Sequence, residues 1–233
     1  MITGGIFLKK FLKLAIMLAF LAALALAGRE VARQASAAGT AEGKKKVVLD
    51  PGHGGRDPGK VGSGEILEKD LNLKIAEKVG EELEKADVQV IYTRIGDQEL
   101  DPGEEGSRKL SDMKARVELI NREAPDLAVS IHQNSYSDPT VKGIQVFYYT
   151  GSLEGEQMAL QMEKEFERIE ETQVRESKAN RDYYLLKNTQ VPTLIVECGF
   201  LSCPEELALL VDESYQQRLA TAIAGGILAC MGD

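Results

Sequence analysis

Three short, mainly apolar runs in this sequence stop abruptly, and each stops on residues that carry chemistry. Val47-Val48-Leu49 gives way to Asp50-Pro51-Gly52-His53-Gly54-Gly55, Leu127 to Ile131 runs into His132-Gln133-Asn134, and Thr193 to Val196 runs into Glu197. Such runs are expected of strands covered on both faces, as in parallel sheets. In an open α/β sheet the carboxyl edge of the strands is where ligands bind. The first two stretches hold the only two histidines of the chain. Two imidazoles and at least one carboxylate delivered to one edge make a metal site the leading reading.

Between these runs the period changes. Leu71, Ile75, Val79 and Leu83 recur every fourth residue and predict a helix. Leu110, Met113, Val117 and Ile120 mark a second, Met158, Met162, Phe166 and Ile169 a third, and Leu219, Ile223, Ile227 and Met231 a closing one. Val88–Thr93 and Gly143–Tyr149 read as further strands, and Tyr183–Leu186 as a short one. Alternating strands and helices predict an α/β fold: a three-layer, mostly parallel twisted sheet of about six strands flanked by helices, forming a single domain over residues 46–233.

Residues 1–27 have the build of an export signal: Lys9, Lys10 and Lys13, then fourteen apolar residues from Leu14 to Ala27, ending in Ala25-Leu26-Ala27. Fourteen is short of the roughly twenty needed to span a membrane, although Ile6 to Leu12 lengthen the run if the lysines snorkel. A cleaved signal and a retained anchor are both compatible with it. Residues 28–45 show no apolar periodicity and read as a linker.

Residues 1–46 carry eight Lys/Arg against two Asp/Glu; the whole chain is at −9, so residues 47–233 stand at −15. That acidity argues against nucleic acid as a partner, because phosphate binding draws its affinity from Lys and Arg. Nucleotide is excluded on other grounds. Gly54-x4-Gly59-Lys60 imitates a P-loop, but Val61 stands where Ser or Thr must hold Mg²⁺. No G-x-S-x-G elbow occurs. Cys198 and Cys203 could bridge, but small buried hydrophobes are the commoner fate of such cysteines.

A catalytic zinc site takes three protein ligands and keeps one position open, and His2Glu is one known set. With His53 and His132 in place, the third ligand is sought among Asp50, Asp57, Glu65, Glu68 and Asp70. Glu68 opens the first helix, where the chain returns toward the strand ends, though an acid there also suits the helix dipole. Glu197 leaves a buried strand as an isolated acid. Such a site raises a carboxyl pKa toward neutrality, as a general base requires; the plainer alternative is a salt bridge to an arginine.

With these residues assembled, the chain resembles the zinc-dependent N-acetylmuramoyl-L-alanine amidases of bacterial cell walls, from about Val47 to Met231. The resemblance rests on Leu49-Asp50-Pro51-Gly52-His53-Gly54-Gly55 with Asp57-Pro58-Gly59, Glu68-Lys69-Asp70, Thr93-Arg94, Ser130-Ile131-His132 with Asn134, and Val196-Glu197-Cys198-Gly199-Phe200-Leu201-Ser202. It implies His53, Glu68 and His132 as zinc ligands, Glu197 as the catalytic glutamate, and Asn134, Arg94 and Asp50 as substrate-facing or supporting residues. Cys203 departs from the family's usual Asn. The implied reaction is metal-assisted hydrolysis of the amide joining N-acetylmuramic acid to L-alanine in peptidoglycan, outside the cytoplasm.

The compact build, the stretch from Arg116 to Asn134 and Tyr183-Tyr184-Leu185-Leu186-Lys187 look most like the spore-cortex branch. That branch implies muramic-δ-lactam formation with a partner polysaccharide deacetylase, and leaves room for an activator protein. Two other readings stand beside it. A zinc carboxypeptidase-like hydrolase would act on peptides lacking muramic acid, and a silent wall-binding protein would be expected to have lost one of the four motif residues.

Overall fold

The computed structural model describes residues 43–101, 103 and 107–232. The expected export segment over 1–27 and most of the expected linker lie outside them.

The chain alternates as its periodicities require. Strand β1 (Lys46–Pro51) leads through a glycine-rich loop to α1 (Glu68–Lys85), followed by β2 (Gln89–Tyr92), α2 (Arg108–Glu123), β3 (Leu127–Asn134) and β4 (Gln145–Tyr149). Then come α3 (Leu153–Phe166), β5 (Lys178–Asn180), α4 (Tyr184–Asn188), β6 (Thr193–Phe200), α5 (Pro204–Leu210) and α6 (Glu213–Met231). The six strands form one sheet in the order β2-β1-β3-β6-β4-β5. β2, β1, β3 and β6 are mutually parallel, while β4 runs antiparallel to β6 and β5 runs parallel to β4. The chain leaves β1 toward β2 on one side and returns to β3 on the other. The gap between β1 and β3 is therefore the switch point, where such sheets open a crevice.

The period of two along each strand divides the core. Val47, Leu49, Leu127, Val129, Ile131, Leu194 and Val196 pack in one cluster with α1, α3 and α6, through Ile75, Met162, Ile223 and their neighbours. Val48 and Ala128 face the other way, in a smaller cluster with Val117 and Ile120 of α2 and Leu185 of α4. One face is thus thickly covered and the other thinly. Asp50, Ser130, His132 and Glu197 share the parity of the thin face. Among the described residues, no helix is long and apolar enough to cross a membrane.

Two expectations change. Tyr183–Leu186 is not a strand: residues Tyr184–Asn188 form the short helix α4, and the neighbouring strand is Lys178–Asn180. Leu185 and Leu186 are adjacent and both buried, in different clusters, which a single turn of helix achieves by swinging successive side chains through about 100°. β3 and β6 also continue past the points where their apolar runs stop. His132 and Glu197 therefore lie within the sheet, opposite one another in register.

Candidate active site

Three side chains from three elements meet over the switch point. His53 follows β1, Glu68 opens α1, and His132 lies on β3; their ligand atoms all fall within 4.8 Å of one another. Glu68 Oε1 is 3.1 Å from His53 Nε2 and 2.9 Å from His132 Nδ1. Glu68 Oε2 accepts the Lys60 N–H at 2.7 Å, while Oε1 faces the two imidazoles and also accepts the Gln133 N–H at 3.2 Å. The loop and the helix fasten each other, since the Glu68 and Lys69 amides donate to the carbonyls of Lys60 and Pro58. Two imidazoles and a carboxylate oxygen at this spacing are a donor set suited to a zinc-type cation, so the residues fit the metal their pattern suggests.

Two of the ligand candidates, His53 and Glu68, are held from behind. His53 Nδ1 lies 2.8 Å from Asp57 Oδ2, which leaves Nε2 to face Glu68. This is the carboxylate–histidine arrangement that fixes ring orientation at metal sites. Burial alone would lower the His53 pKa, but the hydrogen bonds to Asp57 and Glu68 carry it up to about 9. The reciprocal bond from His53 draws Asp57 down to about 2. Burial would raise Glu68, yet His132 and His53 hold it well below the ordinary carboxylate range. Because a metal takes neutral imidazole and ionised carboxylate, binding at such a set is coupled to proton release.

The His132 ring packs closely against Gly52. A Cβ on Gly52 would fall inside the ring's van der Waals envelope. Gly52→Ala is therefore expected to push His132 out of place and cost about 10²-fold in turnover, with zinc content reduced. Full zinc and parental activity in that variant would show the ring to be free to move.

Glu197 stands on β6 beside His132. Its Oε2 is buried with no hydrogen-bond partner among the described residues. Burial pushes its pKa up to about 7, and the charges acting on it are those of His132, Glu68 and His53. Among the described residues no arginine pairs with Glu197, as the salt-bridge alternative would require. A cavity of about 470 Å³ joins Glu197 to His53, Glu68 and His132, flanked by Lys109 and Met113 of α2 and by Tyr183.

The family model for N-acetylmuramoyl-L-alanine amidases matches residues 47–229. The chain belongs to that family. The germination-specific N-acetylmuramoyl-L-alanine amidase of Bacillus subtilis is 41% identical over 187 residues, spanning 79% of this chain and 78% of that one. Among solved structures, the CwlD amidase from Clostridioides difficile in complex with the GerS lipoprotein is similar at a TM-score of 0.77 and 35% identity, covering 81% of this chain and 98% of that one. The N-acetylmuramoyl-L-alanine amidase from Clostridium difficile 630 has a TM-score of 0.73 at 31% identity, covering 81% and 97%. Membership decides for amide hydrolysis on peptidoglycan over the peptidase and silent-binder readings.

Within this amidase, the remaining candidates fall into different places. Asp50 lies beneath the site, accepting from Ser130 Oγ and Thr93 Oγ1 at 2.6 Å each and from Arg116. Arg94 is buried away from the cavity and donates to the carbonyls of Pro51, Gly52, Lys69 and Gly96, so it braces the loop. Asn134 lines the cavity while its Oδ1 accepts the Ser135 N–H. Glu65 and Asp70 are exposed and outside the cluster. All three cysteines are free, with Cys198 and Cys203 buried. Sequence reasoning missed Asn72 and Arg116. Asn72, one turn after Glu68, donates to the Gly52 carbonyl at 3.1 Å. Arg116 had a signal: it stands three residues after Met113 and four before Ile120, a charge on the apolar stripe of its helix.

Proposed function

We propose that His53, Glu68 and His132 hold a zinc ion, and that Glu197 is the general base and acid of N-acetylmuramoyl-L-alanine hydrolysis. The observation that carries this reading is the convergence of a two-histidine, one-carboxylate donor set beside a buried carboxylate whose Oε2 has no hydrogen-bond partner among the described residues. Zinc at that set supplies Lewis-acid polarisation of the lactyl carbonyl and lowers the pKa of water. Glu197 Oε2, without a hydrogen-bond partner among the described residues and near neutral pKa, takes the proton of the attacking water. It then returns that proton to the departing amine of L-alanine. Asp57 holds His53, and Asp50 ties the strand ends together through Thr93, Ser130 and Arg116. Asn134, on the cavity wall, meets the substrate.

The similarity to a germination-specific amidase supports a role in the spore cortex, where stem removal precedes deacetylation by a partner enzyme and δ-lactam closure. The similar CwlD structure, solved with a lipoprotein, supports a lipoprotein activator for this chain as well. Action on peptidoglycan supports export, with residues 1–27 as signal or anchor.

The test is to incubate the purified full chain with intact peptidoglycan and zinc and read the products by mass spectrometry. Stem peptides beginning at L-alanine, with muramic acid lacking its stem, are expected. A chelator should abolish them and added zinc restore them. Products unaffected by the chelator would remove the metal from the reading.

A further inference from the structure

The backbone at His53 is unusual. Its φ is +61°, a left-handed conformation disfavoured for residues with a side chain, and Gly54 and Gly55 continue in positive φ. Such a conformation persists only where its surroundings enforce it. What meets the His53 carbonyl is Arg116 Nη2, at 2.6 Å. Arg116 arrives from α2, and its side chain is almost wholly buried (1% exposed). Its Nη1 donates to Asp50 Oδ1 at 2.6 Å and to the Pro51 carbonyl at 3.0 Å, and its Nε donates to Asp112 Oδ2 at 2.7 Å. One planar fork thus grips two carbonyls of the histidine loop and two carboxylates.

The grip extends to the second histidine. Asp50, held by Arg116, also accepts from Ser130 Oγ, two residues before His132 on β3. The path from the His53 carbonyl through Arg116, Asp50 and Ser130 therefore spans the crevice and fixes the spacing of the two imidazoles. A cation is buried here with two carboxylates around it, so charge alone is compensated. What only a guanidinium supplies is several donors in a rigid plane.

We propose that Arg116 is the positioning residue of the metal centre, holding His53 in the left-handed conformation that aims Nε2 at Glu68 and His132. The inference rests on the reading of those three residues as zinc ligands. An ammonium in the same place keeps the charge but cannot reach the His53 and Pro51 carbonyls and both carboxylates together. In the full chain, Arg116→Lys is expected to weaken zinc binding about 10–100-fold, measured by competition with a chromophoric chelator, and to alter the visible spectrum of the cobalt-substituted protein. At saturating zinc it should show a lowered kcat with a KM close to that of the parent.

Val117→Ala is the control for general weakening of α2. Val117 packs with Val48, Ile120 and Ala128, and its loss should lower the thermal midpoint of the metal-free protein without changing zinc affinity. Parental zinc affinity in Arg116→Lys, or an equal loss in Val117→Ala, overturns the proposal. Should Arg116→Lys fail to fold, Asp112→Asn, which leaves one amide oxygen where two carboxylate oxygens accept from Arg116 Nε and the Leu100 N–H, is expected to weaken zinc several-fold; unchanged affinity there overturns it as well. A parent chain that binds no zinc overturns the ligand reading itself, an outcome distinct from a variant that binds as the parent does.

Discussion

Glu197→Gln is expected to retain its full complement of zinc and lose about 10²–10⁴-fold in turnover, the range for removing a positioned general base. The substitution keeps the side chain's size and polarity in a buried strand position and removes only its ability to take a proton. Glu197 is not among the three converging ligand candidates, so metal content should not follow activity. A second effect has a definite sign. Burial raises the Glu197 pKa from an ordinary 4.5 to about 7. Between those values the folded chain holds a proton that the unfolded chain has released, so stability falls as pH rises through that window. Glutamine removes this penalty. The metal-free variant should therefore melt above the parent at pH 8, with the gap closing below about pH 4.5. Near-parental turnover in Glu197→Gln would sink the assignment of the base, whatever the melting curves show.

Glu68→Gln is expected to lose both metal and activity. The Glu68 carboxylate is where the two imidazoles converge, through Oε1, and an amide oxygen carries no formal charge to bind a dication. The loss of zinc affinity should exceed the 10–100-fold typical of an outer partner, and turnover should follow it down. The amide oxygen can still accept the Lys60 N–H that Oε2 accepts now, so the loop–helix junction should survive. Circular dichroism of the metal-free variant should match that of the metal-free parent. Stoichiometric zinc at parental affinity would take Glu68 out of the ligand set and return Asp57, 2.8 Å from His53, as the carboxylate to test.

Of these two residues Glu197 is legible in the sequence and Glu68 only in part, and the reason is physical. A strand buried on both faces can be read from its apolar run, and a polar residue that interrupts it must be there for something other than packing. His53, His132 and Glu197 show themselves this way. Glu68 does not, because an acid in a first helical turn is common for dipole reasons, and the sequence left it among five carboxylates until the resemblance and then the geometry singled it out. Arg116 was readable only against its neighbours, as a charge among Met113, Val117 and Ile120. α4 was misread because Tyr-Tyr-Leu-Leu suits a strand, and five residues are too few to show a helical period. α5 lacked a period too, although Pro204 with Glu205 and Glu206 is a helix-start signature. β5, Lys178–Asn180, is a polar edge strand paired on one side only, and its three residues carry no burial pattern to read.

The unequal covering of the sheet bears on how a polymer reaches the chemistry. On the thin face, sixteen-residue α2 and five-residue α4 pack against each other beside the cavity. With so little of the chain over that face, His53 and His132 stay partly exposed, and a glycan strand can approach them from the side without a free end having to thread through. A site reached in this way can work in the middle of a mesh, removing stems from sugars still joined on both sides and leaving the strand itself uncut.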